Sequence, residues 1–131
     1  MTFKYKRQSR LFLRPIIPVR VQRGDHSLRY EVLVDSGADI NIFAYQLGEH
    51  LGIDIPSGER AEIIGLTGEP EEFYLHSVEL VIGRQIYRTQ AGFMKSMDDR
   101  PYGIVGQQGL FDLFKVTFNL SRENIELLSV D

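Results

Sequence analysis

From residue 16 onward the apolar residues of this chain come in short runs, each cut off by glycine or a polar turn, a pattern that a succession of short β-strands satisfies. Residues 16–22 alternate and end in Arg23-Gly24-Asp25-His26. Residues 28–34 then alternate again before becoming fully apolar, which predicts a hairpin whose second strand enters the core. Residues 61–70 and 73–82 read as two strands around a glycine-bearing turn, and Gly83-Arg84 leads into a further strand over 85–93. A closing strand pair is expected over 116–120 and 125–130. Helical signals are brief: Leu47 and Leu51 stand four apart and stop at Gly52, and Leu110, Phe111 and Phe114 have helical spacing behind Gly106 to Gly109. The expected fold class is all-β, a small closed barrel with one or two short helices.

At 131 residues the chain is one domain's worth of sequence, long enough to bury about two-thirds of its surface without covalent staples. The absence of cysteine excludes a disulfide framework, a zinc–thiolate site and a cysteine nucleophile together. Charge is unevenly spread. Residues 1–30 hold eight Lys/Arg against one acid, whereas residues 31–131 hold seven against seventeen. We therefore divide the chain into a basic N-terminal arm or edge strand, 1–14, and a domain, 15–131. No apolar run approaches the ~18 residues of a membrane span, and the start has no apolar core for a signal peptide, so a cytoplasmic protein without membrane insertion is expected. The basic start also admits a reading as an arm for RNA or an anionic membrane, but a solvated edge strand is the simpler one, and no nucleic-acid partner is expected.

The chemistry concentrates in Val32-Leu33-Val34-Asp35-Ser36-Gly37-Ala38-Asp39. A carboxylate placed directly after a continuous apolar strand conflicts with the pattern around it, because a buried charge must be paired or titrate abnormally. Gly37 permits a tight turn and Ser36 supplies a hydroxyl beside the acid. Taken alone, Asp35-Ser36-Gly37 reads better as a plain Asx turn leaving a strand. It is followed downstream by Ile64-Gly65-Leu66-Thr67-Gly68 and by a second apolar-to-glycine run, Pro101-Tyr102-Gly103-Ile104-Val105-Gly106. Other chemistries find little support. His26, His50 and His76 lack metal-ligand spacing, Gly83 matches no phosphate-binding loop, and the segment from Asp35 lacks the ligand alternation of a calcium loop.

In the order of these three features, over roughly residues 15 to 130, the chain resembles the retropepsin-like aspartic proteases, and the ending from Gly106 to Phe118 looks like the cellular, non-viral members. The resemblance implies Asp35 as the catalytic carboxylate, with Ser36 bracing two active-site loops across a homodimer. Gly37, Ala38 and Asp39 would line the cleft and bind substrate backbone. Gly65, Leu66, Thr67 and Gly68 would form a mobile flap tip over an extended peptide, and Tyr102 and Ile104 would shape side-chain pockets. Apolar walls at Ile64, Leu66, Ile104 and Val105 then predict apolar residues at the scissile bond, and neither metal nor organic cofactor is implied. With a single Asp-Ser-Gly per chain, two copies are needed to supply the two carboxylates that share a proton in this chemistry. One position departs from the family pattern: many members have an Arg after the glycine of the second motif, paired with the acid at the Asp39 position, and here Gln107 stands there. Arg29, Arg100, another partner or a neutral bond from Gln107 are the candidates for Asp39. The departure gives weight to an alternative, a silent peptide-binding or dimerisation module of the same fold.

Overall fold

A computed structural model describes residues 1–64 and 68–130. Three short strands open the chain, β1 (Thr2–Lys4), β2 (Lys6–Arg7) and β3 (Leu13–Arg14). β4 (Ile16–Arg23) and β5 (His26–Val34) form the expected hairpin, in register from Ile16 opposite Leu33 to Arg23 opposite His26. β6 (Ile42–Ala44) runs into helix α1 (Tyr45–His50), and then come β7 (Glu59–Ile64), β8 (Pro70–Ile82), β9 (Gln85–Met94) and β10 (Gly103–Val105). The order in the main sheet is β4-β5-β10-β6-β9-β8-β7, and β4 also pairs with β8. That extra pairing closes six strands into a ring and leaves β7 outside it, held as a hairpin arm on β8. The last two strands, β11 (Phe114–Asn119) and β12 (Asn124–Ser129), form a second sheet that β1 completes, with Phe3 opposite Ile125.

Alternation along each strand sends every second side chain inward. Ile17, Val21, Val32, Phe43, Leu80, Ile82, Phe93, Leu110 and Ile125 are fully buried and form one continuous core. Tyr30, Phe43 and Phe93 stack edge to face through its centre at centroid distances of 5.4 and 6.1 Å, an arrangement worth about 0.5–1.5 kcal/mol per pair beyond burial. Burial pushes the Tyr30 phenol above its ordinary pKa; the bond it accepts from the Ala44 amide offsets part of this and Asp98 adds to it. Among the described residues no helix is long and apolar enough to cross a membrane.

Helix α1 ends where the sequence places its stop, with Gly52 at φ +76°. Its free N-terminal end finds a remote partner, since the Gln46 amide donates to Asp98 Oδ1 at 3.0 Å. The other helical expectation is corrected. Residues 110–113 make turns: the amides of Leu110 and Phe111 both reach the Gly106 carbonyl, and Phe114 is already the first residue of β11. Gly109, at φ +115°, lies outside helical geometry, and its carbonyl is taken by the Thr89 hydroxyl at 2.8 Å. The apolar spacing there reflects Leu110 and Phe114 entering the core from a turn and a strand start.

Candidate active site

β5 and β10 lie side by side and parallel, with Val34 opposite Val105, and both break off into loops at the same level. The first loop begins at Asp35, whose amide donates to the Val105 carbonyl at 3.0 Å. Its carboxylate is half-buried, and Oδ1 accepts the Gly37 amide at 2.8 Å. The Asx turn and the isolated carboxylate are thus one structure. A turn bond fixes one oxygen, and among the described residues Oδ2 has no hydrogen-bond partner. Ser36, Gly37 and Asp39 are exposed and Ala38 is half-buried.

The two loops are laced together. The Gln107 amide donates to the Ala38 carbonyl at 2.8 Å, the Gln108 amide to the Asp39 carbonyl at 2.9 Å, and Gln107 Nε2 to the Ser36 carbonyl at 2.6 Å. Gly106 is required by this approach: a Cβ there would meet the Ala38 oxygen at 2.5 Å. Beneath them lies Asn41, with no exposed surface. Its Oδ1 accepts the Gly106 amide at 3.0 Å, its Nδ2 donates to the Gln90 carbonyl at 3.0 Å, and its own carbonyl accepts the Gly92 amide at 2.8 Å. One side chain therefore ties the second loop to β9 and, through its own backbone, to the loop of Asp35.

Asn41 was not singled out in the sequence. The available signal was a lone amide in the apolar run Ile40-Asn41-Ile42-Phe43-Ala44, where a buried polar group must be fully bonded. Leu33 was missed as well: it is half-buried, two residues before Asp35 on the same strand face, and is the register partner of Ile104. Tyr102 and Ile104 lie half-buried on the adjoining β10 segment, and Val105 is buried in the core, so it lines no wall of an open cleft. The candidates for Asp39 are also corrected. Gln107 spends its side chain on the Ser36 carbonyl, and among the described residues neither Arg29 nor Arg100 pairs with the Asp39 carboxylate. Of the flap segment, Ile64 is 77% exposed at the end of β7 and Gly68 is exposed at φ +83°, whereas Gly65, Leu66 and Thr67 lie outside the described residues. Among the described residues no three His, Asp or Glu side chains gather to hold a metal ion.

A ring of short strands with a hairpin arm and two interlaced loops, one starting on an aspartate, defines the retropepsin-like fold. A family model for aspartyl proteases matches residues 17–108, and the chain belongs to that family. The structure is similar to that of a retropepsin-like aspartic protease from Rickettsia conorii, with a TM-score of 0.68 and 14% identity over 98% of this chain and 97% of that one. It is also similar to EIAV protease complexed with the inhibitor HBY-793, with a TM-score of 0.55 and 20% identity over 76% of this chain and 86% of that one. No curated protein matches the chain.

Proposed function

We propose that this chain is an aspartic endopeptidase that works as a homodimer, hydrolysing a peptide bond with water activated between the two Asp35 carboxylates. The observation that carries the reading is the Asp35 carboxylate itself, half-buried at the foot of a core strand with one oxygen fixed by the Gly37 amide. One such group acts as base or as acid but not as both at once; two facing each other across a two-fold axis share a proton and divide the roles. The base takes a proton from water as the oxygen attacks the peptide carbonyl. The neutral partner then protonates the leaving nitrogen.

Ser36, exposed and without a hydroxyl bond inside its own chain among the described residues, is free to bridge to the partner's loop. Gly37, Ala38 and Asp39 then offer backbone to an extended substrate, which adds as a strand beneath the arm that carries Ile64 to Gly68. Leu33, Ile104 and Tyr102 form the floor.

The test is cleavage of a mixed peptide library between pH 3 and 8 by wild type and Asp35→Asn over a range of concentrations. We expect cutting that is strongest at mildly acidic pH, falls about 10³-fold or more in the variant, and rises faster than linearly with dilute enzyme. A folded wild-type dimer that cuts nothing would instead mark a peptide-binding module.

A further inference from the structure

Among the described residues two polar side chains are buried, Asn41 and His76. Asn41 serves the loops, whereas the proposed chemistry has no use for His76, an imidazole on β8 that is only 7% exposed. Its ring centroid lies 6.0 Å from that of Phe93, and its Nε2 is 2.8 Å from the Ile55 carbonyl oxygen. A carbonyl only accepts, so Nε2 carries a proton and donates it. Burying such a ring costs its hydration, a cost that the bond to Ile55 offsets and that an apolar side chain would not incur.

His76 stands where β8 changes partners. β7 runs against Pro70 to Leu75, β4 takes up the same edge from Glu79 to Val81, and the residues between are in register with neither. Part of that gap is filled by the segment leading into β7. There a 3₁₀ turn, Ile55–Ser57, ends on Gly58, whose amide donates to the same Ile55 carbonyl at 3.1 Å. A Cβ on Gly58 would meet the Leu75 oxygen at 2.4 Å and His76 Nε2 at 2.5 Å, so glycine is what lets the two legs of the arm come this close. Ile55 is itself anchored: its side chain is buried, and a Cβ on Gly48 of α1 would meet Ile55 Cδ1 at 2.9 Å and Phe93 Cδ1 at 2.8 Å. Beyond Gly58 the character changes at once, since five of the six residues of β7 are exposed.

We propose that His76 is the clasp at the root of the arm, a positioning residue for substrate capture. By tying β8 to the anchored turn at Ile55 it holds the two legs together and sets the bend above Gly58 and His76, so that the β7–β8 hairpin swings as one piece over the cleft. The proposal rests on the protease reading and deepens it. The buried imidazole acts through the arm and not on the peptide. Without it the Ile55 carbonyl keeps its bond from the Gly58 amide, so what is lost is the tie between the legs and not the pairing of a buried acceptor.

The experiment compares wild type, His76→Met and His76→Gln by native-state amide exchange and by kcat and KM for one peptide of the library. Met fills the place of the ring with an apolar chain, and Gln offers an N–H near the position of Nε2. In wild type we expect the β7 amides bonded to β8 to exchange together and faster than the Gly58 amide, which should keep pace with β9. His76→Met should quicken Gly58 about tenfold, to the rate of β7, leave β9 within about twofold, and raise KM about fivefold with kcat kept; His76→Gln should restore both readings. A side chain that merely filled the core would move β9 along with Gly58 and would not be replaced by an amide. The proposal is overturned if Gly58 exchanges with β7 in wild type, if His76→Met quickens β9 as much as Gly58 or leaves KM unchanged, or if His76→Gln behaves as His76→Met does. Should His76→Met not fold, the rate boundary at Gly58 in wild type and in His76→Gln decides. If wild type cuts nothing, the protease reading fails separately, and the exchange rates alone decide whether His76 is the clasp.

Discussion

The loops at Asp35 and Gly106 and the β7–β8 arm border the same space, but they are held by opposite means. The loops rest on the core, through a fully buried asparagine and backbone bonds between Ala38, Asp39, Gln107 and Gln108. The arm projects beyond the ring: Glu59, Arg60, Glu62, Ile63 and Ile64 are exposed, and beyond the backbone ladder of β7 and β8 its side-chain ties include Arg60 to Glu72 across the hairpin at 2.8 Å and Arg60 to Glu62 along β7 at 3.2 Å, both at the surface. Buried hydrogen bonds are costly to break and insensitive to salt, whereas exposed ion pairs contribute little and are screened. A protease needs this division, a carboxylate held to fractions of an ångström and a cover that opens for a polypeptide.

The strongest way to break the contrast is Gly106→Ala. Its methyl group would meet the carbonyl oxygen and carbon of Ala38 at 2.5 and 2.9 Å and the Ile40 oxygen at 2.9 Å, all of them backbone atoms that no rotamer change can move. We expect a loss of about 3 kcal/mol in chemical denaturation together with loss of peptide cleavage. A variant that folds and cuts like wild type would show that the loops are not locked.

Next comes Asn41→Ala, which leaves the Gly106 amide and the Gln90 carbonyl without their bonds. With about 1–3 kcal/mol for each buried group left unpaired and some relaxation, a destabilisation of about 2 kcal/mol is expected, and amide exchange should quicken at Gly106 before it does so in β8. The same exchange at both places would mean that Asn41 supports the whole barrel and not the loop in particular.

How far these features could be read from the sequence follows from what generates each signal. Strands β4, β5, β8 and β9 are long enough for alternation to show, and Asp35 stands out because its charge breaks an apolar run. Asn41 breaks one too, but as a neutral residue whose partners, Gly106 and Gln90, are brought to it only by the closed topology. Gln107 was readable as a departure from the family pattern, while its bond to the Ser36 carbonyl depends on two loops meeting 71 residues apart in sequence. The helix expected at Leu110 failed for a local reason: burial every three or four residues is also what a tight turn feeding a strand produces. Gly109 at φ +115° was the residue that separated the two cases.

The smallest effect is expected on the arm. Hydrogen bonding to Glu72, then the attraction of Glu72 and Glu62, holds the Arg60 guanidinium above its ordinary pKa, so it stays charged wherever the protein is folded. All three side chains are about half exposed, and replacing Arg60 with Met removes both ties without touching the ring. The melting temperature should stay within error of wild type, and any difference at low ionic strength should vanish near 0.5 M salt, where screening acts within about 4–5 Å. If the arm matters as a cover, the change appears in KM for a peptide substrate, at about twofold, with kcat nearly kept. A melting temperature lowered as far as in Asn41→Ala would show that the arm is as much a part of the barrel as the loops are, and a lowered kcat with KM unchanged would move Arg60 from substrate capture to the chemical step.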